Sequence, residues 1–336
     1  MKNILVTGAT GFIGSALVQH LIDLGHTPAV LVRRPLRNDL FPEGSVRAVF
    51  GDLTRPETLD AATAGVDTVF HLGARATFES YATLRPTIVE GSRALMQAVL
   101  AAGATTFVHA SSLLVYAGQE EPITRDTVPR PRLDYGRAKL EAEEVLSSLA
   151  RETTLALAMV RLPHVYGARD LLFNEIRKGR VIIPGNGRNR YAHLHVRDAA
   201  RLMTAVADSG WTGAAPTADE LPADWNTFLE VVHDHYPRFG RVHLPMRLAR
   251  ALTHLSEAYA RLRRRQTLHT PGAILGWNLN LPVAPGLIWD DLGLTPDYPT
   301  IHQGIPACLK EEVPFCWCHP VCDHVACPGC PPADRP

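Results

Sequence analysis

Tyr135 and Lys139 stand four residues apart where Leu140-Glu141-Ala142-Glu143-Glu144-Val145-Leu146 continues a helical pattern. Four residues make about one helical turn, so phenol and ammonium project from one face. A free phenol titrates near pH ~10, and a cation one turn away favours its ionised form. Such a pair suits proton exchange with a substrate hydroxyl, a step typically worth ~10²–10⁴ in rate. Alone the spacing says little, because an exposed helical face produces it by chance. Upstream, the strand-like run Thr106-Phe107-Val108-His109-Ala110 ends in Ser111-Ser112, two hydroxyls able to orient a substrate oxygen and share its developing charge.

The element that must position this group lies at the N-terminus. Ile4-Leu5-Val6 reads as a buried strand and turns through Gly8, Gly11 and Gly14 into Ser15–Ile22, whose apolar residues recur at helical spacing. A helix start offers unpaired N–H groups and a partial positive charge, which suits a pyrophosphate. Glycines let the phosphate approach the backbone and the helix approach the strand. Their spacing is Gly-x-x-Gly-x-x-Gly, not the general Gly-x-Gly-x-x-Gly fingerprint, and close packing alone would also use glycines here.

With these residues in view, Thr7-Gly8-Ala9-Thr10-Gly11-Phe12-Ile13-Gly14 resembles the extended short-chain dehydrogenase/reductase (NAD-dependent epimerase/dehydratase-like) family. The resemblance implies an α/β, Rossmann-type doubly wound parallel sheet with a smaller C-terminal substrate-binding lobe. Residues 1–167 would form the NAD(P)-binding domain, 168–310 mostly the lobe interleaved with the sheet, and 311–336 a Cys-rich tail outside the core. It places cofactor contacts at Gly8, Thr10, Gly11, Phe12, Ile13 and Gly14. Further contacts fall at Asp52 and Leu53 (adenine side), at Leu72, Gly73 and Ala74 beneath the dinucleotide, and at Pro163 by the nicotinamide carboxamide. Tyr135 becomes the acid/base, Lys139 tunes it beside an oxidised nicotinamide and holds the ribose, and Ser112 fits the catalytic serine better than Ser111.

Plainer readings stand beside several of these. Asp52 could serve a turn or helix cap before Pro56, and His71 reads as a packed strand residue. Tyr116 and Tyr166 lack a lysine four residues on and read as packing or substrate-lining groups. The second strand ends in Arg33-Arg34 where an acidic residue would bind a ribose 2′-hydroxyl, so NADP is weakly preferred over NAD; two solvated surface arginines are the alternative.

Departures from the family pattern bear on the substrate. Ile88 stands where asparagine is common, His164 replaces the asparagine of sugar-nucleotide members, and Tyr191 takes the place of an arginine, with Arg190 displaced by one. The leading expectation is therefore hydride transfer between nicotinamide and a hydroxyl or carbonyl carbon of a small or hydrophobic substrate, as in the dihydroflavonol-reductase and hydroxysteroid-dehydrogenase branches. A nucleotide-sugar epimerase or dehydratase is the alternative, and a non-catalytic dinucleotide sensor the reading from another class. Asp198 is expected to cap the helix that starts beside it. The resemblance also suggests a homodimer built through helices of the first domain.

Composition sets bounds. Of 336 residues, 46% are apolar and 20% charged, with formal net charge zero, so nothing in the global charge points to nucleic acid or an anionic membrane. No run approaches the ~18 apolar residues of a membrane span, and a cytoplasmic enzyme is the default. The pattern from Met246 to Leu262 ends in Arg263-Arg264-Arg265, read as a solvated helix end with a membrane-surface or partner-binding role as the alternative. All six cysteines fall between Cys308 and Cys330. The cluster Cys316–Cys330 could chelate zinc, but its pairs are closer than in common zinc modules, and no metal is assigned.

Overall fold

In the computed structural model, which describes residues 1–36, 40–262 and 270–311 (side chains of 257–262 excepted), strand parity sorts the apolar residues into two layers. The first half runs β1 (Ile4–Thr7), α1 (Phe12–Asp23), β2 (Ala29–Val32), β3 (Arg47–Phe50), α2 (Asp60–Thr63), β4 (Thr68–His71), α3 (Tyr81–Arg85), α4 (Gly91–Ala101), β5 (Thr106–Ser112) and α5 (Asp134–Ala150). Next come β6 (Ala156–Leu162), β7 (His164–Tyr166), α6 (Leu171–Arg177), β8 (Arg180–Pro184), β9 (Arg190–Tyr191), β10 (His193–His195), α7 (Val196–Ser209) and β11 (Gly213–Pro216). The chain continues through β12 (Ala223–Asp224), α8 (Trp225–His235), β13 (Gly240–Leu244), α9 (Met246–Leu262), α10 (Pro271–Trp277), α11 (Ile288–Asp291) and α12 (Ile301–Lys310).

Seven parallel strands form one sheet in the order β11-β6-β5-β4-β1-β2-β3. Alternate residues face opposite sides of a strand. Ile4, Val6, Val30, Phe70, Val108 and Val160 join Leu17, Val18, Leu202, Met203 and Val206 on one face. Leu5, Leu31, Val69, Phe107 and Met159 join Leu95, Met96, Val99 and Leu146 on the other. A sheet covered on both faces needs the near-continuous apolar runs found in the sequence. Because the strand order reverses direction between β1 and β4, their C-terminal ends flank the crevice where such sheets bind ligands.

The smaller lobe gathers β8, β9, β12, β13, α8 and the C-terminal helices around Phe173, Trp225, Phe228 and Tyr166. Among them α12 rests directly on Tyr166, for a Cβ at Gly304 would lie 1.9 Å from the phenol oxygen. One expectation needs correction. His195, not Asp198, caps α7, its Nδ1 accepting from the Arg197 N–H at 3.3 Å. Asp198 is buried in the first turn beneath the 297–298 loop. Its carboxylate oxygens accept the Asp297 and Tyr298 N–H groups at 2.8 and 2.9 Å. The Cys316–Cys330 cluster lies outside the described residues; Cys308, inside them, is buried and forms no disulfide among the described residues.

Candidate active site

The glycine turn is built by contact. Gly8 has φ +70°, and a Cβ there would lie 2.7 Å from both Gly73 N and the Leu72 carbonyl carbon. A Cβ on Gly14 would lie 2.1 Å from Gly8 O, so α1 starts hard against the turn. Gly11 N-caps α1 without a side-chain hydrogen bond, and the first turn holds no acid. The N–H groups of Phe12, Ile13 and Gly14 thus head a helix that no side chain of its own caps. Thr10 and Gly11 are exposed, Phe12 and Ile13 half-buried. Gly167 approaches Phe12, whose Cζ a Cβ there would meet at 3.1 Å, joining the turn to the segment beyond Pro163.

Gly73 is equally constrained, since its Cβ would meet Leu53 Cδ1 at 2.8 Å and Thr7 Oγ1 at 2.9 Å. Beneath it runs a single hydrogen-bond chain. The Gly73 N–H donates to Thr7 Oγ1 at 3.0 Å, and that hydroxyl donates to His71 Nδ1 at 2.7 Å. His71 Nε2 donates to Ser92 Oγ at 2.9 Å, which donates to the Ile88 carbonyl at 2.5 Å. Burial first, and then the Lys139 charge, push His71 down to about 3, so it stays neutral. His71 is therefore a packed residue that fixes the turn. Ile88 contributes only this carbonyl, from a π-helical stretch (Pro86–Glu90) linking α3 to α4, with its side chain in an apolar cluster.

At the sheet's other end of the crevice, Asp52 Oδ1 accepts the Thr54 N–H and hydroxyl at 2.9 and 2.8 Å. Burial raises its pKa, but those two bonds and the Arg33 and Arg55 charges outweigh it and hold the carboxyl low. The turn role is thus realised, and Arg33, just beyond β2, is among the charges that lower that carboxyl.

The chemistry-bearing group comes from β5 and α5, which pack together. Lys139 is buried, and its Nζ donates to the Ala110 carbonyl at 2.8 Å, two residues before Ser112. Burial lowers its pKa to about 8, opposed by Glu143. Ser112 is half-buried and its Oγ accepts the Leu114 N–H at 3.2 Å, turning the chain into a short 3-10 segment, Leu113–Val115. Tyr135, one turn before Lys139, is half-buried against Phe78, with ring centroids 6.2 Å apart, and shares an apolar cluster with Ala74. A phenol lowered by Lys139 is the expectation; in the protein alone burial dominates and pushes Tyr135 up to about 12.

Ser111 does something else. Its hydroxyl donates to Glu143 Oε1 at 2.5 Å, and Arg161 clamps the same carboxylate through Nε at 3.1 and 3.2 Å and an Nη at 2.6 Å. The other Nη donates to Tyr116 Oη at 2.7 Å. Sequence reasoning did not join this buried quartet, because its members lie on four separate elements. It also passed over Gly136, whose Cβ would stand 1.8 Å from Leu114 O, so that glycine lets α5 seat against the Ser112 turn. The available signal was a glycine beside Tyr135 inside a helical pattern.

On the lobe side, Tyr166 is buried rather than lining a surface, whereas His164 is half-exposed. His193 Nε2 donates to the Ala223 carbonyl at 3.2 Å, leaving its Nδ1 to accept from His164 Nδ1 at 3.0 Å. This fixes His164 as the Nδ1–H tautomer with an acceptor at Nε2. Its ring meets Trp225 at 4.9 Å and Phe228 at 5.5 Å. Tyr191, buried with its ring tilted against Trp225 at 5.4 Å, is raised by burial and then by the Tyr135 phenol, and Tyr135 packs against the same aromatic cluster.

Comparison with known sequences decides the lineage: the model of the NAD dependent epimerase/dehydratase family matches residues 4–218, more than half of the chain. The chain belongs to that family. It is 30% identical over 220 residues to the uncharacterized protein y4nG of Sinorhizobium fredii, covering 62% of this chain and about half (54%) of y4nG. It is 29% identical over 233 residues to the ceramide reductase of Caulobacter vibrioides, covering 68% of each. The structure is similar to MoeE5 in complex with UDP-glucose and NAD, with TM-score 0.74 and 26% identity over 91% of this chain and 97% of that one. Among the described residues of this epimerase/dehydratase chain, no helix is long and apolar enough to cross a membrane, and no group of three His, Cys, Asp or Glu could hold a metal ion.

Proposed function

We propose that this chain is an NAD-dependent oxidoreductase of the epimerase/dehydratase type, acting at a hydroxyl-bearing carbon of a nucleotide sugar. What supports it is that α5, which bears Tyr135 and Lys139, is tied through the Lys139–Ala110 bond to the end of β5, which bears Ser112, in a sheet whose first turn packs so closely that Gly8 and Gly14 have no room for a Cβ. That cradle fits a pyrophosphate, with Gly8, Gly11, Phe12, Ile13 and Gly14 around it and Leu53, Leu72, Gly73, Ala74 and Pro163 along the floor. NAD, when bound, supplies the hydride acceptor and donor together with a positive ring charge. Tyr135 Oη takes the proton of the substrate hydroxyl or returns it to a carbonyl oxygen; a phenol near 12 is fully protonated at neutral pH and suits the second direction. Ser112 Oγ orients that oxygen, and Lys139 holds positive charge beside the phenol and a proton for a ribose hydroxyl. The likeness to the MoeE5 complex supports both NAD and a nucleotide sugar.

A second reading keeps the chemistry and changes the substrate to a hydrophobic alcohol or ketone. It is favoured by the His164–His193 pair set among Trp225, Phe228 and Tyr191, and by the similarity to a ceramide reductase. A panel of UDP- and dTDP-sugars and long-chain ketones, run with NAD(H) and NADP(H), separates the two. Tyr135→Phe should bind NAD as the native protein does and lose ~10²-fold or more in turnover. Unchanged turnover in that variant removes the acid/base and the proposal with it.

A further inference from the structure

Helix α9 carries its leucines on the wrong side for a helix that only packs on its own protein. Ala249 and Thr253 are buried, and α9 packs against α10. Leu248, Leu252 and Leu255, at i, i+4 and i+7, form one stripe and are 49%, 47% and 67% exposed. Ala251 beside them is exposed too, as are Val242 and Ile182, cross-strand partners on β13 and β8. A surface helix ordinarily turns such a stripe inward, and a contiguous exposed patch marks an interaction site.

Charge identifies the occupant. Arg247 and Arg250 are exposed on the same helix, and no acidic residue occurs from Met246 to Ser256. From Arg247 to Arg265 the sequence holds six arginines and one glutamate, Glu257, although the chain as a whole is neutral. A second copy of the same face would oppose arginine to arginine across a two-fold axis. An anionic lipid surface satisfies both features at once, leucines entering the acyl boundary and arginines meeting headgroups. No described helix can cross a bilayer, so the contact is with its surface.

We propose that α9 is a docking element for anionic membrane surfaces. It lies near the site: Gly272 and Gly276 of α10 pack on Phe78, and the Phe78 ring meets Tyr135. Docking would bring the substrate lobe against the lipid, an arrangement useful for the hydrophobic substrate of the second reading but independent of it. The test is co-sedimentation of the full chain with vesicles of phosphatidylcholine alone or with ~30% phosphatidylglycerol, at low and high salt. The native chain should bind the anionic vesicles at least about tenfold better, and salt should weaken that binding. Leu252→Ser/Leu255→Ser and Arg247→Glu/Arg250→Glu should each lower it about tenfold while NAD affinity and melting temperature hold. Equal binding to both vesicles, or no loss in either variant, overturns the proposal. So does a leucine variant that instead dissociates a dimer in sedimentation velocity, which would make the face a contact between copies.

Discussion

Gly136→Ala tests whether the approach of α5 to the Ser112 turn is what places the phenol. By helix propensity alone the change should stabilise, since glycine costs ~1 kcal/mol relative to alanine within a helix. The space forbids it. The new methyl would stand 1.8 Å from Leu114 O, 2.6 Å from its carbonyl carbon and 3.2 Å from Pro131 Cβ. Leu114 cannot simply move aside, for it is buried and its N–H is held by Ser112 Oγ. Restoring even a 3.0 Å separation requires the start of α5 to withdraw by about 1.2 Å, and Tyr135 withdraws with it. Overpacking of this kind costs ~1–3 kcal/mol, which leaves about 1 kcal/mol of net destabilisation after the helix gain. For a chain of this size that is a fall of about 1.5 °C in Tm. Displacing a catalytic group by about 1 Å costs ~10² in rate, so kcat/KM should fall about a hundredfold. NAD affinity should change by less than about threefold, because the glycine turn lies on another element. Calorimetry, cofactor titration and steady-state kinetics on one preparation supply the three readings. A variant with raised Tm and unaltered kcat/KM would refute the reasoning.

The remaining predictions concern buried charge. Arg161→Met strands the Glu143 carboxylate with Ser111 as its hydroxyl donor and should cost ~3–5 kcal/mol in urea unfolding, most of it recovered in Arg161→Met/Glu143→Leu; equal losses in single and double variants would refute a charge origin. Five histidines, 71, 109, 164, 193 and 195, have pKa values depressed chiefly by burial, and three aspartates, 170, 198 and 219, have values raised chiefly by burial. Between pH ~6.5 and ~4.5 the unfolded histidines gain protons that the folded ones refuse, while the folded aspartates gain protons the unfolded ones do not yet hold. His20 is lowered chiefly by burial as well, so the histidines outnumber the aspartates and stability should fall as pH falls through that window. A flat or rising profile across that window in denaturant titrations would contradict it.

What could be read in the chain without coordinates was whatever local chemistry writes locally. Four-residue strands such as β1 and β2, buried on both faces, must be continuous apolar runs, and the turn after β1 must be glycine where a Cβ would strike Gly73 or Gly8 itself. Tyr135 and Lys139 are legible because one helical turn sets their relation. The roles that escaped are set by tertiary contact. Nothing near Ser111 announces that it will donate to the Glu143 carboxylate that Arg161 clamps, yet the strand alternation that turns Ser111 and Ser112 to opposite sides requires the two hydroxyls to differ. Asp198 satisfies the composition rule for a cap, but the amides of the 297–298 loop meet its buried carboxylate. Likewise the expected effect of Lys139 on Tyr135 assumed that charge acts first. In the folded chain desolvation acts on both, so the phenol is held protonated until a further positive charge arrives. That makes the acid/base responsive to what occupies the crevice. On the proposed reading the empty protein keeps the proton, and its release is tied to a bound, oxidised cofactor rather than to the lysine alone.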